Sequence, residues 1–268
     1  MNGEAEPWDC LRVAAGSAAR PALAYELRTG PNERKLHLRQ GTDRREIPQR
    51  SSRWAAKSAD ILAAAKLTPN QISVGSVLFA AAGAAALIWS AQVDDTIIRA
   101  VLLAAAAACI PLRLLLNMLD GMLAVEKGMS SPVGDIYNEL PDRISDVLFL
   151  GAAGIATAGL VTADRVDFGV MLGFLAAILA VFTAYIRCLG AALGTGNFFD
   201  GPLAKPQRMW LLMIGVLVSI AEPWLPWSEG WALFGTLALI VLGSLLTCTR
   251  RLQRVSAALR ARSNDLPS

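Results

Sequence analysis

Between Leu115 and Asp146 the sequence reads LLNMLDGMLAVEKGMSSPVGDIYNELPDRISD. This stretch carries Asn117, Asp120, Asp135, Asn138, Glu139, Asp142 and Asp146, side chains able to bind a metal through oxygen. Asn117 and Asp120 are three residues apart, one helical turn; Asn138, Asp142 and Asp146 recur every four residues, along one helical face. Carboxylates repeated on one face repel unless a cation offsets them. A donor set of carboxylates and carboxamides without His or Cys selects a hard cation, Mg²⁺ or Mn²⁺, and such ions bridge substrate phosphates. Gly121, beside Asp120, lets backbone approach a ligand closely, and Gly134 stands where a helix start would offer N–H groups to an anion. Lys127, Arg143, Arg187, Lys205 and Arg208 supply cations nearby. The residues alone leave two readings open: a metal–phosphate site for a lipid-linked substrate, or a solvated acidic loop among topological cations.

The flanking elements place this chemistry beside a membrane. Hydrophobic residues make up 54% of the 268 and charged ones 18%, against about 25% charged in soluble domains. Several apolar runs approach the length of about 20 residues that a bilayer crossing takes. The expected architecture is an all-α integral membrane protein, with six transmembrane helices preceded by an interfacial amphipathic helix. Residues 51–67 form that first helix, with Trp54, Ile61, Leu62 and Leu67 on an apolar side and Arg53, Lys57, Asp60 and Lys66 among them. Thr68-Pro69-Asn70 breaks it and starts the next. The spans are expected near Ile72–Ser90, Thr96–Leu116, Arg143–Ala163 (in a helix starting near Val133), Phe168–Cys188, Met209–Ala221 and Trp231–Cys248. Pro111 and Pro141 are expected to bend the second and third.

Four regions follow: a basic N-terminal segment 1–50, the interfacial helix 51–67, a six-helix membrane domain 68–249 and a basic tail 250–268. No apolar stretch of signal-peptide type follows the first basic residues, so a cleaved leader is not expected. With the N-terminus inside the cell, the far-side connections carry only Arg99 and Arg165, and the other basic residues fall on or near the cytoplasmic side. The charge rule then puts both termini, and Asn117, Asp120 and Asp142, on the cytoplasmic face of the plasma membrane. Cys10, Cys109, Cys188 and Cys248 show no metal or redox spacing, and His37, the single histidine, excludes any His-based triad. The basic N-terminal segment lacks aromatic interleaving or a reader motif, so it fits anionic lipid rather than nucleic acid.

The stretch N117-x2-D120-G121-x2-A124-V125-x8-G134-x3-N138-x3-D142 resembles the signature of the CDP-alcohol phosphotransferases, D-x2-D-G-x2-A-R-x8-G-x3-D-x3-D. Every interval matches. Asp120, Gly121, Ala124, Gly134 and Asp142 match in type, whereas Asn117 and Asn138 replace aspartates and Val125 replaces the arginine. The resemblance covers roughly residues 50–250, including Leu67-Thr68-Pro69-Asn70 ahead of the first span. It implies transfer of a phosphatidyl group from a CDP-alcohol, CDP-diacylglycerol in this setting, to a second alcohol with release of CMP. It further implies a divalent-metal site at Asn117, Asp120, Asn138 and Asp142, with Asp142 also the general base, and a nucleotide pocket lined by Gly121, Ala124 and Gly134. Glu139 and Asp146, outside the family pattern, are placed to offset the two missing carboxylates. Arg187, Lys205 and Arg208 are expected at the acceptor or lipid phosphate. The family often forms homodimers, and the small-residue faces of the spans permit one. The two asparagines define the alternative: a relative that binds CDP-lipid or metal without turnover, with a structural or transport protein as a further alternative.

Overall fold

A computed structural model describes residues 53–126, 128–129, 133–226 and 229–264, all of which fall within one compact unit. The basic segment 1–50, with Cys10 and His37, lies outside the described residues, as does Lys127. The described chain is helical: α1 (Arg53–Ala64), α2 (Pro69–Ser90), α3 (Thr96–Glu126), α4 (Gly134–Ala156), α5 (Phe168–Ala192), α6 (Lys205–Ala221) and α7 (Trp231–Asn264). A 3₁₀ turn, Glu222–Trp224, follows α6, and a two-stranded hairpin, β1 (Thr162–Ala163) and β2 (Val166–Asp167), joins α4 to α5.

Local chemistry fixes several of these boundaries. Thr68 caps α2 through a reciprocal box: its Oγ1 accepts from the Gln71 N–H at 3.3 Å, and Gln71 Oε1 accepts from the Thr68 N–H at 3.0 Å. Pro69 follows in the first turn, where its missing N–H costs nothing. In the β1–β2 hairpin both loop residues, Asp164 and Arg165, have positive φ, the geometry that lets a two-residue turn follow the strands' twist. Pro111 and Pro141 lie inside continuous helices.

Helices α2 to α7 close into a ring. α2 packs on α3 and α4, α3 on α6, α6 on α7, α7 on α5, and α5 on α4; α1 lies against α3. The ring's interior is filled by small and medium apolar residues, among them Ala80, Leu87, Ile110, Phe149, Ala180 and Leu237. Alanine and glycine let the helices approach closely. At the α4–α5 contact a Cβ on Gly173 would stand 2.5 Å from the Gly154 Cα, so neither position has room for a side chain. Apolar side chains also cover the outside, such as Leu78, Ile97, Ile178 and Leu242. A helix apolar all round suits lipid rather than water.

Among the described residues four helices are long and apolar enough to cross a membrane: Pro69–Ser90, Thr96–Ala124, Phe168–Ala192 and Trp231–Ser263. The other two ring members differ for visible reasons. α4 begins with charged turns, and α6 has 17 residues. Helix ends also differ from the sequence expectation. α3 runs past Leu116 to Glu126 because Met118, Leu119, Met122 and Leu123 continue the buried stripe and pack with Ala59 and Ile72. α4 stops at Ala156 rather than Ala163, where Gly159 at φ 83° and the hairpin take over. α7 continues to Asn264, so most of the tail at 250–268 is helical, with Arg251 and Val255 buried one turn apart.

Candidate functional site

The helix stripes that build the core turn polar at one end of the ring. On α3 the buried series Leu103, Ala106, Ile110 leads into Arg113, Asn117 and Asp120. On α4 it runs backwards from Ala153 and Phe149 to Asp146 and Asp142, and on α6 from Val216 and Leu212 to Arg208. Regular helical periodicity therefore keeps these charged groups on the inward face. Asp120, Asp142, Asp146, Arg113 and Arg208 are all buried.

Two sets of contacts result. In the first, Asp120 on α3 meets α2: its Oδ2 accepts a hydrogen bond from Ser73 Oγ. Asp120 Oδ1 and, one turn earlier, Asn117 Oδ1 are buried and meet no donor among the described residues. In the second, α3, α4 and α6 meet through ion pairs. Arg113 Nη2 donates to Asp142 Oδ1 at 2.8 Å and to the Asp142 carbonyl at 3.1 Å. Lys205 Nζ pairs with Asp142 Oδ2, and Arg143 Nη2 lies 3.6 Å from the same oxygen. Arg208 Nη2 donates to Asp146 Oδ2 at 2.7 Å, with Arg143 Nη1 at 3.7 Å. Asp146 Oδ1, and Nε and Nη1 of both Arg113 and Arg208, are buried without a hydrogen-bond partner among the described residues.

The remaining expected residues sit around this centre. Glu139 pairs with Arg187, whose guanidinium also lies 5.6 Å from the centre of the Phe199 ring. Gly121 and Ala124 are half-buried on α3, and Gly134 opens α4 without a side-chain cap at Val133. Asn138 is exposed, one turn beyond the packed part of α4, and does not join the buried set. Three contributors were not singled out by sequence. Ser73 lies among the small residues of α2, and Arg113 near the end of the apolar run of α3. Arg251, buried on α7, donates to the carbonyls of Thr183, Phe199 and Asp200 and so fixes the loop between α5 and α6.

The fit to a divalent cation is divided. Asn117 Oδ1 and Asp120 Oδ1 are oxygen donors of the right kind, buried and unpartnered among the described residues. Asp142 has both oxygens engaged by cations, Asn138 is exposed, and among the described residues no three His, Cys, Asp or Glu side chains are grouped to hold a metal.

No family model matches the chain. Phosphatidylinositol phosphate synthase of Mycobacterium tuberculosis is 26% identical over 193 residues, covering 70% of this chain and 79% of that protein. The inner membrane protein YnbA of Escherichia coli is 26% identical over 148 residues, 54% of this chain and 68% of that one. Among solved structures, the M. tuberculosis phosphatidylinositol phosphate synthase with CDP-DAG bound is similar at a TM-score of 0.61 and 26% identity, over 76% of this chain and 94% of that one. The same enzyme in complex with manganese and citrate is similar at a TM-score of 0.61 and 25% identity, over 75% and 88%.

Proposed function

We propose that this homologue of phosphatidylinositol phosphate synthase, within the CDP-alcohol phosphotransferases, transfers a phosphatidyl group from CDP-diacylglycerol to an alcohol and releases CMP. The observation that carries the reading is the gathering of buried Asp120, Asp142 and Arg208 at one end of the ring, with Lys205 paired to Asp142 and Arg208 to Asp146, on helices whose spacing follows the phosphotransferase signature. The bond from the acceptor oxygen to the β-phosphorus forms as the bond from that phosphorus to the CMP oxygen breaks. Asp142 takes the acceptor's proton, and the surrounding cations favour charge developing on the phosphoryl and leaving oxygens. Asn117 and Asp120 hold the Mg²⁺ or Mn²⁺, which when bound supplies electrostatic stabilisation to the diphosphate. Gly121, Ala124 and Gly134 line the nucleotide pocket.

The acceptor is a phosphorylated alcohol. The relative from Mycobacterium tuberculosis is named phosphatidylinositol phosphate synthase, and Arg187 and Arg208 supply guanidinium groups suited to a phosphate. Six spans, α2 to α7, cross the plasma membrane with the cluster and both termini on the cytoplasmic side. The ring packing supports counting α4 and α6 among them. α1 lies in the interface, which its exposed Trp54 and Ile61 support. The small-residue faces are compatible with a homodimer.

The test is an acceptor panel. Purified protein in nanodiscs receives CDP-diacylglycerol and Mn²⁺ with inositol phosphate, glycerol 3-phosphate, inositol or serine, and both CMP and the lipid product are identified. CMP release with a phosphorylated acceptor is the expected result, and release only with an unphosphorylated alcohol overturns the acceptor assignment. The asparagines at 117 and 138 favour one second reading, a protein that binds CDP-lipid without turnover. It is established by CDP-diacylglycerol binding with no CMP release from any acceptor.

A further inference from the structure

Asp142 and its surroundings hold more positive charge than the phosphotransferase signature calls for. Among the described residues four cations, Arg113, Arg143, Lys205 and Arg208, accompany three carboxylates, Asp120, Asp142 and Asp146, while Arg187 pairs with Glu139, which also lies 3.6 Å from Arg143. An aspartate at 117 would cancel that excess and make room for a divalent ion; the asparagine there keeps the excess. Arg113 is fully buried and reaches Asp142 from α3. It stands one turn before Asn117 on the same helical face. A metal ion ligated by Asp142 would have to displace Arg113 and Lys205 and add two charges to a cluster already positive.

The unpaired atoms show what the cluster lacks. Nε and Nη1 of Arg113 and of Arg208 are buried donors with no acceptor among the described residues. Leaving such donors unpaired is costly, and phosphate oxygens meet the need, since they accept from guanidinium groups in pairs: those of the diphosphate at Arg113 and those of the acceptor at Arg208. The unpaired acceptors Asn117 Oδ1 and Asp120 Oδ1 lie on the other arm, where a single cation would satisfy them.

We propose that Arg113 and Lys205 stand in for a divalent cation at Asp142, so that the site takes the diphosphate of its CDP-lipid on fixed guanidinium and ammonium groups and binds at most one metal ion, at Asn117 and Asp120. This rests on the CDP-lipid reading of the ligand and is independent of turnover. Lys205, expected from sequence at the acceptor phosphate, then acts at the diphosphate.

Two readouts test it on the full chain in nanodiscs: Mn²⁺ stoichiometry by electron paramagnetic resonance, and CDP-diacylglycerol binding with Mn²⁺ or with EDTA. The wild type is expected to bind no more than one Mn²⁺ per chain and to retain CDP-diacylglycerol in EDTA. Arg113→Gln should weaken binding in EDTA roughly tenfold to a hundredfold, the range for losing charge-assisted hydrogen bonds, and Arg113→Lys should restore most of it. Lys205 is only partly buried at the start of α6, so Lys205→Met provides the same readout if Arg113→Gln does not fold. Two Mn²⁺ per wild-type chain, loss of CDP-diacylglycerol binding in EDTA, or unchanged EDTA binding in the folded variants overturns the proposal. Expected stoichiometry and binding without CMP release from any acceptor would retain it and reject the transferase reading; CMP release with two bound Mn²⁺ would do the reverse.

Discussion

Two buried arginines on α3 show what separates a structural network from a reactive one. Arg99 stands near the start of the helix and Arg113 fourteen residues on, about 21 Å along the axis. Arg99 is saturated: Nη1 donates to the Ser219 carbonyl at 3.0 Å, Nη2 faces Glu222 at 3.3 Å and Nε faces Glu229 at 3.0 Å. Glu222 in turn accepts the Gly230 and Ala232 N–H groups at 2.9 and 2.7 Å. All three guanidinium nitrogens of Arg99 and both carboxylate oxygens of Glu222 are engaged within the fold, and the network ties α3 to the turn after α6. Around Arg113 the count does not close, because donors on Arg113 and Arg208 and acceptors on Asn117, Asp120 and Asp146 go unmet among the described residues. Unpaired buried polar groups are expensive, so the proposed ligand would complete the second network, whereas Arg99 and Glu222 complete each other.

The largest effect should come from the reactive end. Asp142→Asn keeps the shape but removes both the proton acceptor and the charge that holds Arg113 and Lys205. CMP release per folded molecule is expected to fall about 10²–10⁴-fold, the range for a positioned acid–base group, while size-exclusion profiles stay monodisperse. At the saturated end the same kind of change should act on stability alone. Glu222→Ala leaves Arg99 with the half-exposed Glu229 and strips the acceptor from two backbone N–H groups. A loss of about 3–5 kcal/mol is expected, as for breaking a buried pair, read from equilibrium unfolding in detergent, with CMP release by the folded fraction unchanged. A Glu222→Ala protein of wild-type stability but lowered turnover would erase the distinction between the two ends.

A finer cut lies within the signature itself. Asn117 and Asn138 are equivalent departures in sequence, but the structure buries the carboxamide oxygen of one and exposes the other residue. Asn117→Ala is expected to weaken Mn²⁺ binding about tenfold, or about 1.4 kcal/mol, through loss of an oxygen donor. Asn138→Ala should leave Mn²⁺ binding and stability within about 0.5 kcal/mol of wild type, as for an ordinary surface change. Equal losses in a Mn²⁺ titration would place both asparagines at the metal.

What sequence shows and hides follows from range. Asn117, Asp120, Asp142 and Asp146 were legible because helical periodicity is local: spacings of three and four fix a face without knowledge of the partner helix. Arg113 was not, because its acceptor lies 29 residues away on α4, and a lone arginine near the end of an apolar run looks like a topological charge. Ser73 hid among small residues for the same reason, with Asp120 47 residues away. Arginine and lysine carry long stems, so their sequence position constrains their head groups weakly; this is why Lys205 reaches Asp142. Helix existence was legible from apolar runs, but helix ends were set by tertiary contacts. The buried pair Arg251 and Val255 carries α7 past Cys248, and the hairpin shortens α4.

The smallest effect belongs to a third carboxylate, Asp167, whose accounts close locally at the mouth of α5. Its Oδ1 caps the helix by accepting the Val170 N–H at 3.0 Å, and its Oδ2 accepts the Gly159 N–H at 2.6 Å. These backbone donors hold its carboxyl below the usual carboxylate range. A folded-state pKa below the unfolded one means that the stabilisation is fully present above the unfolded value, near 4, and is lost as the pH falls through the folded value. Asp167→Ala is expected to cost about 1 kcal/mol at neutral pH, as for a lost N-cap, and the gap from wild type should narrow as unfolding is measured at progressively more acidic pH. CMP release at neutral pH should not change, because Asp167 touches neither α3 network. A gap that stays constant into acid would mean that the carboxylate's charge contributes nothing and that Asp167 serves the hairpin by its shape alone.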